Sequence, residues 1–415
     1  MSRVVIIGGG IIGLFTAYYL VEEGFEVTIL DKGDLSDNCS LGNAGMIVPS
    51  HIVPLASPGI IGKGLKWMLS STSPFYIHPK LDRRLIQWCF LFYKAATKKH
   101  VDYSIPYLKN LSILSKNLYL ELAEQNAGTD LGLEEKGLLM LFKTKEAAHE
   151  ETEFALMARE YGLTTEILDQ KGVQELEPHL KLDVLGGVLF PGDAHLHPAK
   201  LHHFLVQHLE SKGVKIVRKV AVQDFAFSGN SVQTVITDQG EEKADFVIVC
   251  AGSWSSTVAQ KLKLNMPMLG GKGYSFLADN HPPIQRPAIL VEGRVAVTPF
   301  GDKVRFGGTM EITDPNSRIN MNRVKGIYDS IGRYYADFKC PAPAQDEVWS
   351  GLRPCSPDGL PYIGFTERWK NVLFGTGHSM MGMSLAPATG KILTEQLLNQ
   401  NASILIDAFS PDRYN

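Results

Sequence analysis

A glycine cluster close to the start of the chain constrains it more than any other feature. In RVVIIGGGIIGLF, Gly8, Gly10 and Gly13 spell G-x-G-x-x-G. Arg3–Ile7 before it is rich in β-branched residues, which predicts a buried strand. Leu14–Glu23 reads as a helix, and Glu26–Leu30 as a second strand ending at Asp31. Strand, glycine turn and helix in that order are the setting in which this spacing binds a dinucleotide. Gly8 permits the tight turn, Gly10 lets backbone N–H groups approach a pyrophosphate, and Gly13 lets the helix pack close to the strand. The helix N-terminus turns its partial positive charge toward the phosphates. Asp31, eighteen residues beyond Gly13, is placed to accept hydrogen bonds from a ribose diol. Lys32 would suit a 2′-phosphate, but the adjacent carboxylate would repel one.

The same segment raises a membrane question, because Val4 to Val21 holds 18 consecutive uncharged residues behind Arg3, the lower limit for a span. Gly8, Gly9, Gly10 and Gly13 would weaken a continuous helix, and no small-residue cleavage site follows, so neither a span nor a signal peptide is expected. The chain has 415 residues, a net charge of −3, 44% apolar and 20% charged residues. These are globular values with room for two or three domains. Near-neutrality argues against a dedicated nucleic-acid binder. The five cysteines (Cys39, Cys89, Cys250, Cys340, Cys355) are scattered without a C-x-x-C. No disulfide framework or metal site is expected, and a reducing, cytoplasmic setting fits best.

Beyond Asp31 the expected run of further βα units is missing. A small-residue loop, CSLGNAGMIVPS (Cys39–Ser50), stands there instead. Its glycines and Asn43 suit close approach of backbone to a flat ring; a plain connecting loop is the alternative. Ile60–Thr72 and Leu81–Lys99 combine Trp67, Trp88, Phe90, Phe92 and Tyr93 with Lys63, Lys66, Lys94, Lys98 and Lys99. They read either as core-packed helices with a solvated edge or as an amphipathic membrane-surface segment. A helix over Asp102–Asn126, a strand over Gly137–Lys143, a helix over Thr144–Tyr161 and a strand over Gly186–Pro191 follow. His195 and His197 resemble a metal pair but lack a third ligand at suitable spacing. Pro198 starts a helix to Lys212.

Val214–Val217, Val220–Phe227, Val232–Asp238 and Asp245–Cys250 predict strands. At Ala251-Gly252 the last gives way to a helix near Trp254, a second junction where backbone can face a dinucleotide. From Met268 to Met310, short alternating strands predict an antiparallel sheet, followed by a helix over Asn320–Asp337. The expected fold class is therefore α/β: a Rossmann-like dinucleotide-binding domain plus a substrate domain with a mainly antiparallel sheet and helices.

The strongest chemistry lies near the C-terminus, in GLRPCSPDGLPYIG (Gly351–Gly364) and VLFGTGHSMMGMSLAPATG (Val372–Gly390). The second predicts strand, glycine turn and a helix from near Gly382, whose free N–H groups would stabilise negative charge on a reduced flavin ring. Arg353, before a proline in a rigid glycine-flanked turn, suits bidentate capture of a carboxylate; a structural salt bridge is the alternative.

Taken together with KGYS (Lys272–Ser275), SPGIIGKGLKWM and VAVTPFGDKVRFGGTMEI, these segments resemble the flavin-dependent D-amino acid dehydrogenases, in the wider glycine oxidase and D-amino acid oxidase group. The resemblance runs nearly end to end. It implies non-covalent FAD, a discontinuous FAD-binding domain (1–80, 196–262 and 345–415) and a substrate domain (81–195 and 263–344). It implies cofactor contacts from Gly8, Gly10, Ile12, Gly13, Asp31 and Lys32; from Ser40, Asn43, Ala44, Gly45, Met46 and Ile47; and from Val220, Ala251, Gly252 and Trp254. Gly351, Arg353, Gly377, His378, Met381, Gly382, Met383 and Ser384 complete that set. The implied catalytic residues are Arg353, His378, Tyr274 and Lys272, with Arg353 matching the family's carboxylate-binding arginine. The chain departs from glycine oxidases in two places: Met380 stands where they carry a second arginine, and Ala296 where they carry a substrate tyrosine. Both changes agree with a more apolar pocket.

The implied reaction passes a hydride from the substrate Cα to FAD N5. The imino acid is then hydrolysed to a 2-oxo acid and ammonia, and electrons leave to a quinone or electron-transfer protein. Peripheral contact with the inner face of the cell membrane, through the Trp/Phe-plus-Lys segments, goes with that acceptor. Three alternatives stay open: a dehydrogenase of D-proline or another cyclic imino acid, an oxygen-using oxidase, and a non-catalytic flavoprotein.

Overall fold

A computed structural model describes residues 2–36, 38–68, 70–279, 282–313, 316 and 318–415. Its first layer is a six-stranded sheet ordered Tyr362–Phe365, Val372–Thr376, Phe246–Val249, Arg3–Ile7, Glu26–Leu30 and Lys215–Val217. All neighbours run parallel except the first pair, which is antiparallel. Three distant stretches of chain thus build one sheet, with Val4–Ile7 in register with Phe246–Val249. Parallel central strands covered on both faces need continuous apolar runs, and Val4, Val5, Ile6 and Ile7 are all buried.

The fingerprint helix runs Ile11–Glu22, starting three residues ahead of the expected Leu14. The extended Gly10 is its N-cap, and Ile11 and Ile12 are already buried. The C-terminal helix Gly382–Leu397 crosses it closely, since a Cβ on Gly390 would stand 2.7 Å from the Phe15 carbonyl carbon. The long helix Lys98–Gln125, capped by Thr97, packs Leu108, Leu111 and Leu122 into this same core. Its Tyr119 hydroxyl donates to the Met383 carbonyl at 2.6 Å. The other face carries a three-stranded sheet, Val222–Ser228, Ser231–Thr237 and Gly240–Lys243, which shares a core with Val5, Val247 and Val249.

The second layer is a nine-stranded, mainly antiparallel sheet. From one edge it runs Trp349–Cys355, Leu269–Ala278, Lys303–Ile312, Val295–Phe300, Ala288–Leu290, Leu138–Phe142, Gly186–Phe190 and Glu166–Asp169, with Phe75–Ile77 alongside Lys303–Ile312. Helix Met321–Tyr334 packs Val324, Ile327 and Ile331 into one core with Phe276 and Phe306 of this sheet.

Arg353 lies in the edge strand, paired with Gly271, and not in a turn as expected. Proline 354 has no N–H to give, and a sheet edge is where such a residue is tolerated. The strand expected from Val220 begins at Val222, because the Val220 N–H is spent on the Asp31 carbonyl at 2.9 Å.

Candidate functional site

Between the two layers lies a cavity of about 1460 Å³. A drug-sized ligand needs up to about 1,000 Å³, so there is room for a dinucleotide and a small substrate together. At one end the fingerprint turn forms its wall. Gly8 has φ +111°, and a Cβ there would stand 2.5 Å from the Cys250 carbonyl oxygen; a Cβ on Gly13 would stand 2.0 Å from the Gly8 carbonyl oxygen. Only glycine meets both demands, so the turn lies flat and the helix N-terminus opens onto the cavity. The Asp31 carboxylate accepts from Gly9 N at 2.6 Å and Gly33 N at 2.7 Å, which fixes it at the rim. Lys32 lies over the Trp254 ring. The Ser40 hydroxyl accepts from Ile11 N at 3.0 Å, a cap borrowed from outside the helix. A backbone cradle, a helix N-terminus and a rim carboxylate fit the pyrophosphate and ribose of FAD.

Of the residues singled out from the sequence, Gly8, Gly10, Ile12, Asp31, Lys32, Ser40, Asn43, Ala44, Met46, Val220, Ala251, Gly252, Trp254, Lys272, Tyr274, Gly351, Arg353, His378, Met381, Gly382 and Met383 border this cavity. Gly13, Gly45, Ile47, Gly377 and Ser384 stand behind its wall. Gly45 (φ +72°) leaves 2.1 Å between an added Cβ and the Leu196 carbonyl oxygen. Ile47 is buried and paired with Ala194, and the Ser384 hydroxyl accepts from Val48 N at 3.0 Å. Gly377 (φ +78°) would press a Cβ to 2.7 Å from the Tyr362 ring.

The small-residue loop is held from the large sheet by its own carbonyls. Buried Arg305 donates through Nη1 to the Leu41 and Asn43 carbonyls at 2.8 and 2.6 Å, and Ser275 Oγ donates to the Gly42 carbonyl at 2.9 Å. Trp349 lies against both Gly42 and Gly351, where a Cβ would come within 1.9 and 2.1 Å of its ring. Neither Arg305 nor Trp349 was singled out from the sequence; the unusual density of glycine around them was the available signal.

Arg353 lies across Gly273, whose Cβ would stand 2.1 Å from Nη1, and Nη1 donates to the Thr309 carbonyl at 2.7 Å. Thr309 has φ +65°, rare for a β-branched residue. It sits opposite Gly273, where the pairing of the two strands slips. Burial pushes the guanidinium below its usual range. Among the described residues no carboxylate pairs with it. A cation so placed draws an anion. Lys272, buried and pushed down by that burial, donates to Asn316 and to the Arg318 carbonyl at 2.9 Å. Tyr274 donates to Glu311 at 3.2 Å, and burial pushes it up to about 12. His378 is buried, its Nε2 is 2.9 Å from Thr389 Oγ1, and burial pushes it down to about 3, so it stays neutral. Of the His195/His197 pair, His195 is buried, and His197 Nδ1 accepts from Lys200 N at 3.4 Å at the start of helix Pro198–Ser211.

The family model of FAD dependent oxidoreductases matches residues 3–396. A D-amino acid dehydrogenase of Helicobacter pylori is 31% identical over 395 residues, 94% of each chain. One of Granulibacter bethesdensis is 29% identical over 415 residues, 97% of each chain. Glycine oxidase from Geobacillus kaustophilus superposes with TM-score 0.79 at 23% identity over 100% of both chains. L-Proline dehydrogenase from P. horikoshii superposes with TM-score 0.74 at 18% identity, over 100% of this chain and 97% of its own. At these identities the two structures share the fold.

Proposed function

Because the chain belongs to the FAD-dependent oxidoreductase family, we propose that it is a dehydrogenase of D-amino acids, with Arg353 as the residue that grips the substrate carboxylate. It is an enzyme and its cofactor is FAD. The observation that carries the reading is a guanidinium on the cavity wall that has a carbonyl for a partner and no carboxylate among the described residues. When bound, FAD supplies the two-electron acceptor for the Cα hydride. Two N–H groups of Arg353 hold a carboxylate in one plane and so present one face of Cα. Neutral His378 and the N-terminal turn of Gly382–Leu397 offer hydrogen bonds and a dipole without a net charge. Lys272 and Tyr274 line the wall beside Arg353.

The FAD-binding unit comprises 1–80, 196–262 and 345–415, and the shared core adds Lys98–Gln125 to it. That leaves 81–97, 126–195 and 263–344 to the substrate unit. Electrons leave to a quinone or electron-transfer partner. On helices Ile60–Trp67 and Arg83–Ala95, and just before the second, Leu65, Leu81, Ile86, Phe90 and Tyr93 are all more than half exposed. Lys66, Arg83, Arg84 and Lys94 flank them, and Leu65 and Tyr93 also border the cavity. Apolar residues ringed by cations suit an anionic lipid surface, so this face is the proposed peripheral contact on the inner membrane. No helix among the described residues is long and apolar enough to cross a membrane. Sedimentation with phosphatidylglycerol vesicles, weakened by Phe90→Glu, tests it; equal binding by both proteins refutes it.

Anaerobic titration of the yellow holoenzyme tests the activity. D-Amino acids bleach the flavin and L-enantiomers do not, while a cyclic imino acid in the panel separates the secondary-amine alternative. A flavin that stays oxidised with every substrate refutes the proposal.

A further inference from the structure

Ser50 Oγ donates to Asp193 Oδ2 at 2.5 Å, and Ser50 N donates to Oδ1 at 3.0 Å. One residue therefore holds both oxygens of a carboxylate that is 1% exposed. The serine's only proton is committed to Asp193, so its oxygen accepts from His51 Nδ1 at 3.1 Å. That assignment leaves the His51 Nε2 lone pair for the cavity that the ring borders. Val48, three residues earlier, is tied by its N–H to Ser384 beside the Met381–Gly382 turn, and Met381 packs in the same cluster as Val48 and Met140. The relay thus starts on the stretch of wall next to that turn.

Resting on the amino-acid reading above, we propose that His51, Ser50 and Asp193 form a relay that takes the proton from the substrate's α-ammonium group. The ammonium N–H bond breaks as its proton passes to His51 Nε2. The Nδ1 proton passes to Ser50 Oγ, and the Ser50 proton passes to Asp193 Oδ2. No electrons are exchanged; an ammonium and a carboxylate become an amine, with its lone pair free, and a carboxylic acid. The end state removes a charge that the interior disfavours. Burial pushes Asp193 up to about 7, against the Ser50 bonds and the pull of Lys116. Burial and the facing Arg294 push His51 down to about 4, so the ring passes the proton on without keeping it. Around the relay, Lys116 is paired with Glu135 at 2.7 Å, and Arg294 also faces Glu151.

The test uses FAD-loaded enzyme and the D-amino acid that bleaches it fastest. In the native protein kcat/KM falls as pH drops through about 7, where Asp193 takes up its proton. Asp193→Asn loses that inflection and lies about 100-fold lower at neutral pH, the scale of general-base catalysis. The gap closes at alkaline pH, where the substrate arrives as the free amine. Ser50→Ala, which keeps the carboxylate, follows the same pattern and serves if Asp193→Asn does not fold. A readout without turnover is the infrared difference spectrum on binding 2-aminoisobutyrate, which has no Cα hydrogen. A protonated-carboxyl band grows in the native protein and is missing in Asp193→Asn. A gap of equal size at every pH, or no band, overturns the relay while leaving the D-amino acid reading intact; failure of every amino acid to bleach the native enzyme sinks both.

Discussion

Gly273→Ala adds one methyl group where the structure has least room for it. The added carbon would stand 2.1 Å from Arg353 Nη1, 2.4 Å from Nη2 and 2.5 Å from Cζ, whereas ordinary contact begins near 3.4 Å. The guanidinium must move by about 1 Å, and its bond to the Thr309 carbonyl, now 2.7 Å, opens. A shift of that size undoes a fork aimed at a carboxylate. Losing one charge-assisted hydrogen bond costs about 1.5–3 kcal/mol, or about 10- to 150-fold in Kd. Anaerobic titration of the flavin spectrum reads it, with a D-amino acid and, separately, with benzoate, which has the carboxylate but no amine. Both dissociation constants rise by the same factor while FAD stays bound. The double variant Gly273→Ala/Arg353→Ala binds no more weakly than Arg353→Ala alone, since both changes remove one interaction. A Kd for Gly273→Ala within twofold of native, or additive losses in the double variant, refutes the positioning argument.

Gly8→Ala forces a side chain onto φ +111° and into the Cys250 carbonyl at 2.5 Å, so the purified protein loses its yellow colour and regains little of it with added FAD, as absorbance shows. Arg413→Ala unpairs a buried carboxylate: Arg413 Nε and Nη2 reach Asp358 at 2.7 and 3.1 Å, and breaking such a pair costs about 3–5 kcal/mol, read as a drop in the urea midpoint. Burial alone would raise Asp358, but Arg413 outweighs it and holds the carboxyl below its usual range. Its stabilisation is therefore full above about pH 4 and fades as pH falls through the lower folded value, so the gap between Arg413→Ala and native narrows in acid.

The parts legible in the sequence are those set by local rules. The fingerprint glycines, the β-branched run before them and Asp31 lie within one βαβ unit, so their spacing carries their geometry. The antiparallel sheet was likewise visible in the alternation from Met268 to Met310. What escaped reading depends on partners far along the chain. Arg353 reads as a turn residue because glycine and proline flank it, yet its pairing with Gly271 is made 82 residues away and draws it into an edge strand. Strand Glu166–Asp169 is too polar to announce itself and exists because Gly186–Phe190 offers it a partner. Helix Lys98–Gln125 was visible as a helix, but only its packing on Phe15 and Leu393 shows which core it serves.

The same distinction explains why the glycine-rich loop resisted interpretation as anything more than small residues. A loop of Leu41, Gly42 and Asn43 has few side-chain contacts with which to fix itself, so its position has to be imposed through its backbone. Three consecutive carbonyls accept from Arg305 and Ser275, which stand on adjacent strands of the large sheet. At the other end, Asn38 Oδ1 accepts from Ser40 N at 2.9 Å, and Ser40 Oγ accepts from the fingerprint helix at 3.0 Å. One short segment is therefore bonded to both layers. Movement of the antiparallel sheet relative to the dinucleotide unit must move Ser40 or break these bonds. The cradle for the cofactor and the strands that carry Arg353 and Gly273 are in this way held to one geometry, although the residues that hold them come from distant stretches of the chain.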